Sequence, residues 1–166
     1  MWPLACGDLK ARIDKMPQLK SALLAFALLA AILLAPGTAN AQTCWLSDGP
    51  TIVNFGIYDP GLGTPSDSTG MFTFDCSNGS ARATLSLSVG AGTYTTRQMV
   101  LGGDRLDYNL YRDAARTQIW GDGTAPSSTW TNIRRRTPMT IYGRIPAGQF
   151  PAAGNYADTI TLTILY

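Results

Sequence analysis

The chain contains no histidine and no glutamate, and its three lysines, Lys10, Lys15 and Lys20, all lie within the first 20 residues. Without histidine, Ser-His-Asp and Cys-His arrangements are excluded. A glycosidase would need two carboxylates at a cleft, and only aspartates are present. Asp104 and Asp107, in "GGDRLD", flank the start of an apolar alternation and read as solvated turn acids. Loss of Glu and Lys also removes favoured helix formers, while Thr, Tyr, Ile and Gly are abundant, which tilts the chain towards strands and turns. Beyond residue 41 nine Arg balance nine Asp, so the formal charge of that part is zero. A nucleic-acid footprint needs a net basic face, and none is expected here.

Cysteine is equally scarce. Only Cys44 and Cys76 follow residue 41. The residues before them read as a leader (1–41). Lys10, Arg12, Lys15 and Lys20 are basic, and Ala22 to Ala35 is an unbroken apolar run. Pro36-Gly37 ends that run, and Ala39-Asn40-Ala41 supplies a small-x-small cleavage site before Gln42. A membrane span needs about 20 apolar residues, more than this run offers. Met16 is an alternative start that would leave Cys6 out. In an exported protein an even cysteine count predicts a disulfide, so Cys44 and Cys76 are expected to pair. The rival metal-site reading has no His and no CxxC spacing to support it.

The segment 42–166 suits one domain. Its periodicity is that of strands. "TIVNFGI" (51–57) sets Val53, Phe55 and Ile57 on one face, and "MFTFDC" does the same for Phe72, Phe74 and Cys76. Asn78-Gly79 then predicts a turn into "RATLSLSV", with Leu85, Leu87 and Val89 aligned, so these two runs read as a hairpin. "RLDYNLY" aligns Leu106, Tyr108 and Leu110. "MTIYGRI" aligns Met139, Ile141 and Ile145, and "NYADTITLTILY" aligns Ile160, Leu162 and Ile164 against Thr159, Thr161 and Thr163. "GLGTPSDSTG" (61–70) reads as a loop, and "DAARTQ" as one helical turn at most. Seven or eight short strands separated by Gly, Pro, Asn and Asp turns imply an all-β, antiparallel β-sandwich.

No motif carries a reaction, a cofactor or a small-molecule substrate. "VGAGTY" (89–94) lacks the helix a phosphate loop requires. Arg134, Arg135 and Arg136 could attract an anionic glycan or lipid, but an arginine run beside a strand more often guards an exposed edge. Asn78-Gly79-Ser80 matches a glycosylation triplet as well as a turn. Trp45, Trp120 and Trp130 could stack on sugar or pack against the core.

Four blocks carry a family resemblance. They are Cys44 with "FGIY" (55–58), Cys76, "LDYNLYRDAARTQIWGDGT" (106–124) and "IYGRIPAGQFPAAGNYADTITLTILY" (141–166). Across nearly all of 42–166 the chain resembles the spore coat protein U family, which includes the Csu-type pilins of archaic chaperone–usher pili. The resemblance implies an incomplete immunoglobulin-like sandwich lacking its final strand. A periplasmic chaperone would fill the gap, and an outer-membrane usher would exchange it for the arm of another pilus or coat subunit. Ile160, Leu162 and Ile164 would then line an acceptor edge. The implied setting is the periplasm and then the cell surface, in adhesion and biofilm formation. A donating subunit needs an alternating arm before its first cysteine. Cleavage after Ala41 leaves only Gln42 and Thr43, so the acceptor role carries over and the donor role does not. The other reading is a carbohydrate- or surface-binding tip adhesin using Trp130, Tyr94 or Arg134–Arg136. Intact-mass and N-terminal analysis of the exported protein is expected to find a chain beginning at Gln42. A start further upstream would restore room for an arm.

Overall fold

In a computed structural model, residues 41–48 and 52–166 are described. The leader expected at 1–41 therefore lies outside the described residues except for Ala41, and so do Cys6, Met16 and Thr51. Within Ala41–Tyr166, which form one compact unit, the described residues contain eight strands and one 3-10 turn at Pro60–Leu62. The strands are β1 (Cys44–Leu46), β2 (Ser66–Cys76), β3 (Ala83–Leu87), β4 (Arg97–Leu101), β5 (Asp104–Tyr111), β6 (Trp130–Ile133), β7 (Thr137–Ile145) and β8 (Leu162–Leu165). All ladder pairs are antiparallel. They form two sheets, ordered β1-β2-β7-β5-β4 and β6-β3-β8.

Alternation explains why these strands sit where they do. Phe72, Phe74 and Cys76 of β2 point inward with Met139, Ile141 and Ile145 of β7 and Leu106, Tyr108 and Leu110 of β5, and all are buried. The second sheet answers with Ala83, Leu85 and Leu87. Trp120 has no exposed surface; its ring stacks on Phe72 at 6.2 Å and its Nε1 donates to the Leu85 carbonyl. Burying each such side chain contributes about 1.5–3 kcal/mol.

The hairpin expected across Asn78-Gly79 does not form. Both edges of β2 are taken, by β1 and β7, and β3 belongs to the other sheet. The turn is real: Asn78 Oδ1 accepts from the Ser80 amide and hydroxyl. It carries the chain across the sandwich rather than back alongside β2. The two apolar faces cover each other when they lie opposite, and side by side they would not. The loop expected at 61–70 is half strand, because Ser66–Gly70 pair with Ile141–Ile145 of β7. Polar alternation there hid a strand whose outward residue Asp67 meets Arg144 at 2.7 Å.

The strand expected at 51–57 is not formed among its described residues, Ile52 to Ile57. Val53 and Phe55 pack on the core, but Gly56 adopts φ +68° and Ile57 turns out to 94% exposure. That left-handed residue breaks the alternation. "DAARTQ" is a turn, closed by the Arg116 amide donating to the Asp113 carbonyl.

Cys44 and Cys76 form the expected disulfide, facing each other directly in the β1–β2 ladder. It closes a segment with a sequence separation of 32, which in the chain-entropy model corresponds to about 3–4 kcal/mol of stability. Replacing both cysteines with alanine is expected to lower urea stability by about that amount, read from the unfolding midpoint at unchanged slope.

Candidate acceptor groove

Between the sheets, along one side, runs a groove of about 1100 Å³. Its floor is apolar, built from Phe72, Leu87, Leu106, Leu110, Ile141 and Ile145. One wall is the strap 52–58 and the other is the stretch 151–164, which ends in β8.

The strap is seated by packing rather than by a ladder. Gly143 replaces a core-facing side chain in β7: a Cβ there would come within 2.6 Å of the Phe55 ring and 2.8 Å of Val53. Phe55 meets Tyr108 edge-on at 6.0 Å. The Tyr58 hydroxyl donates to the Pro146 carbonyl and accepts from the Gln149 amide, which pins the far end.

The opposite wall is built differently. β8 pairs with β3 through Leu162↔Leu87, Ile164↔Leu85 and their neighbours, and it is the last strand of its sheet. Among the described residues its second edge has no ladder. Ile160, Leu162 and Ile164 all line the groove and remain half-buried, whereas Thr159, Thr161 and Thr163 are exposed. The expected alternation is therefore present over the whole stretch, while the ladder covers only Leu162–Leu165. Upstream the chain is held by single contacts, an Ala157–Val100 bridge and the Ser88 amide donating to the Thr161 carbonyl.

One polar group enters the apolar groove. The Asp158 carboxylate accepts from the Tyr108 hydroxyl at 2.7 Å and from the Ala91 amide at 3.2 Å. Gly90 leaves it room, since a Cβ there would collide with Asp158 and Ile160. Burial, with the Asp158 carboxylate beside it, raises the Tyr108 hydroxyl well above its ordinary value of 10.0. It is thus a neutral donor that ties β5 to the wall.

The surface candidates do not converge. Trp130 begins β6 and the arginines follow its far end, in the β6–β7 turn. The Arg112 guanidinium lies 4.2 Å over the Trp130 ring and covers one face. Arg135 and Arg136 each approach Asp75 at 3.8 Å, and Arg134 is exposed. Tyr94 donates its hydroxyl to the Leu87 carbonyl and stands beside buried Arg97. The strap, the Gly143 seat and the Tyr108–Asp158 bond were not foreseen. A glycine at an inward position of an alternating strand signals a close approach, and "MTIYGRI" carries that signal.

An immunoglobulin-like sandwich with an apolar groove beside the unladdered edge of β8 is the class of protein defined by this geometry. The model of the Spore Coat Protein U domain matches residues 29–163, and the chain belongs to that family. It is similar to Protein U of Myxococcus xanthus, 29% identical over 134 residues, covering 71% of this chain and 73% of that protein. Its fold resembles a chain in the crystal structure of a CsuC–CsuE chaperone–tip adhesion subunit pre-assembly complex from archaic chaperone–usher Csu pili of Acinetobacter baumannii. That match has a TM-score of 0.51 and 22% identity, and it covers 76% of this chain and 40% of the other.

The raised Tyr108 hydroxyl has a consequence at alkaline pH. The unfolded chain loses this proton near pH 10 and the folded chain only above it. The contribution is therefore complete below pH 10 and is lost as pH rises beyond it. Tyr108→Phe is expected to flatten the fall in melting temperature above pH 10 relative to the parent, measured over a pH series.

Proposed function

We propose that this chain is an exported structural subunit of a surface pilus or coat, and that its groove accepts an extended strand from another polypeptide. The reading rests on one observation above all: β8 is laddered on one edge only, and a groove of about 1100 Å³ opens along the other. An added strand would continue the sheet by β-augmentation, with backbone hydrogen bonds supplying affinity and alternate side chains filling the groove. Membership of the spore coat protein U domain family and the fold shared with a chaperone–subunit complex support it. A periplasmic chaperone supplies the first strand; at the outer-membrane usher a neighbouring subunit replaces it.

The energetics favour a filled groove. Each donor side chain buried contributes about 1.5–3 kcal/mol, so three or four supply about 4.5–12 kcal/mol, which overlaps the cost of about 4–15 kcal/mol for lost translational and rotational freedom on association, and backbone pairing adds to the favourable side. An open apolar edge also invites aggregation, which gives a chaperone its role. Only acceptance of a strand is proposed.

The test is co-purification with a co-expressed periplasmic chaperone of the archaic chaperone–usher type. Leu162→Asp, on the groove face, is expected to weaken the complex by at least about tenfold, the loss of one buried side chain. Thr163→Asp, on the outer face of the same strand, is expected to leave it unchanged. A soluble, stable monomer obtained without any partner strand would refute the reading.

A further inference from the structure

Four of the nine arginines in 42–166 gather at one end of the sandwich, and none of them lines the groove. Arg134, Arg135 and Arg136 make the β6–β7 turn, which the Thr137 hydroxyl closes by donating to the Arg134 carbonyl at 2.7 Å. The Ala83–Ile133 pair brings Arg82, one residue before β3, beside Arg134, one residue after β6. Arg135 lies over the β2–β3 turn, where a Cβ on Gly79 would sit 3.6 Å from its Cδ and Nη1. Its Nε and that of Arg136 each approach the Asp75 carboxylate at 3.8 Å.

Acids are few at this end. Asp75 is shared by two guanidinium groups and also accepts from the Cys76 amide. Asp48 follows β1, which runs antiparallel to β2 and so carries it away from the turn. Among the described residues Arg82 and Arg134 are exposed and have no ion pair. The other arginines are engaged elsewhere. Arg116 and Arg144 hold Asp67, Arg112 covers Trp130, Arg97 is buried, and Arg105 bonds the carbonyls of Gly102 and Asp104.

An aromatic ring stands in the same row. Trp45 is directly opposite Asp75 in the β1–β2 ladder, and the side chains of such a pair share a face, with Cβ atoms about 4.5–5.5 Å apart. That face is the outer one, because Phe74 and Cys76 point into the core. Trp120 is buried and Trp130 is covered by Arg112, whereas Trp45 is 42% exposed. An indole, a carboxylate and several guanidinium groups on one surface form a mixed set. The ring stacks on the apolar face of a sugar, the carboxylate accepts from its hydroxyls, and guanidinium groups hold a carboxylate or sulfate by paired hydrogen bonds. A lipid headgroup layer or a nucleic-acid backbone offers phosphates and would leave Asp75 facing like charge.

We infer that this end of the sandwich binds an acidic polysaccharide, with Trp45 as the stacking platform and Arg134, Arg135 and Arg136 on its carboxylates or sulfates. Successive Cα atoms are about 3.8 Å apart, well within the Debye length of about 8 Å at physiological salt, so the charges of the turn act together on the polymer. The inference goes beyond the structural-subunit reading and requires neither an open groove nor a filled one.

Surface plasmon resonance at physiological salt tests it. The exported chain is immobilised in the form in which it purifies, alone or with a co-expressed chaperone, and chaperone alone is the blank. The probes are polygalacturonate and heparin, with dextran as the uncharged control. The parent is expected to bind both acidic polymers and not dextran. R134Q/R135Q/R136Q is expected to bind at least about tenfold more weakly, through lost hydrogen bonds to charged groups. R134K/R135K/R136K, which keeps the charge without the planar fork, should recover only part of that affinity. W45A should lose about three- to tenfold through stacking, and W45F should bind like the parent. R105Q, which removes a positive charge elsewhere, should leave binding unchanged. Binding of neither acidic polymer overturns the inference. So does binding that W45A leaves unchanged, because charge alone would then be attracting a polyanion. Capture of phosphatidylglycerol vesicles but of neither polysaccharide assigns this end to a lipid surface instead. Loss of chaperone co-purification with polysaccharide binding intact counts only against strand acceptance.

Discussion

The guanidinium of Arg97 has no exposed surface, and it touches both halves of the sandwich. It starts β4, donates to Asn109 Oδ1 at 2.6 Å within its own sheet, and reaches across to the carbonyls of Ser88 and Trp120 at 3.0 and 2.7 Å. Asn109 in turn donates to the carbonyls of Tyr94 and Thr95. Burial lowers the arginine's pKa, yet a guanidinium remains charged. A buried cation of this kind is tolerated when hydrogen bonds meet its charge; here both Nη groups are bonded, while the buried Nε has no partner. Those acceptors are fixed backbone carbonyls at the end of β3 and in the segment after β5, so satisfying Arg97 sets how closely the two sheets approach there.

With the sheets pinned there, the two walls of the groove are held in different ways. The strap rests in the seat opened by Gly143, the Asp158 carboxylate ties the other wall to β5, and between them the apolar faces fail to meet. Ile160, Leu162 and Ile164 face the groove, and among the described residues the second edge of β8 carries no ladder. The apolar groove lies beside β8, whose other edge is laddered to β3.

Much of this was legible in local pattern. The inward faces of β2, β5, β7 and β8 follow from period-2 alternation, because successive side chains of a strand point to opposite faces. The Cys44–Cys76 pairing followed from an expected leader and an even count. What failed did so where local signals are ambiguous. Asn78-Gly79 announces a turn, but a turn does not say whether the chain returns in the same sheet or crosses to the other. Ser66–Gly70 is too polar to advertise a strand. Ile57 matched the alternation of Val53 and Phe55, and a single left-handed glycine reversed it.

The candidate site divides in the same way. That the last alternating run should lie at an edge could be argued from its three apolar residues and from a family resemblance. Which edge stays open is a property of strand order, and that order is decided by which apolar faces can cover each other across the sandwich. By itself the sequence determined an all-β chain with one disulfide, its inward faces and a half-apolar final strand, because these depend on residues close together in the chain. The groove, its strap and the buried arginine were decided only by the tertiary structure. Each depends on bringing together residues tens of positions apart, and nothing local records that.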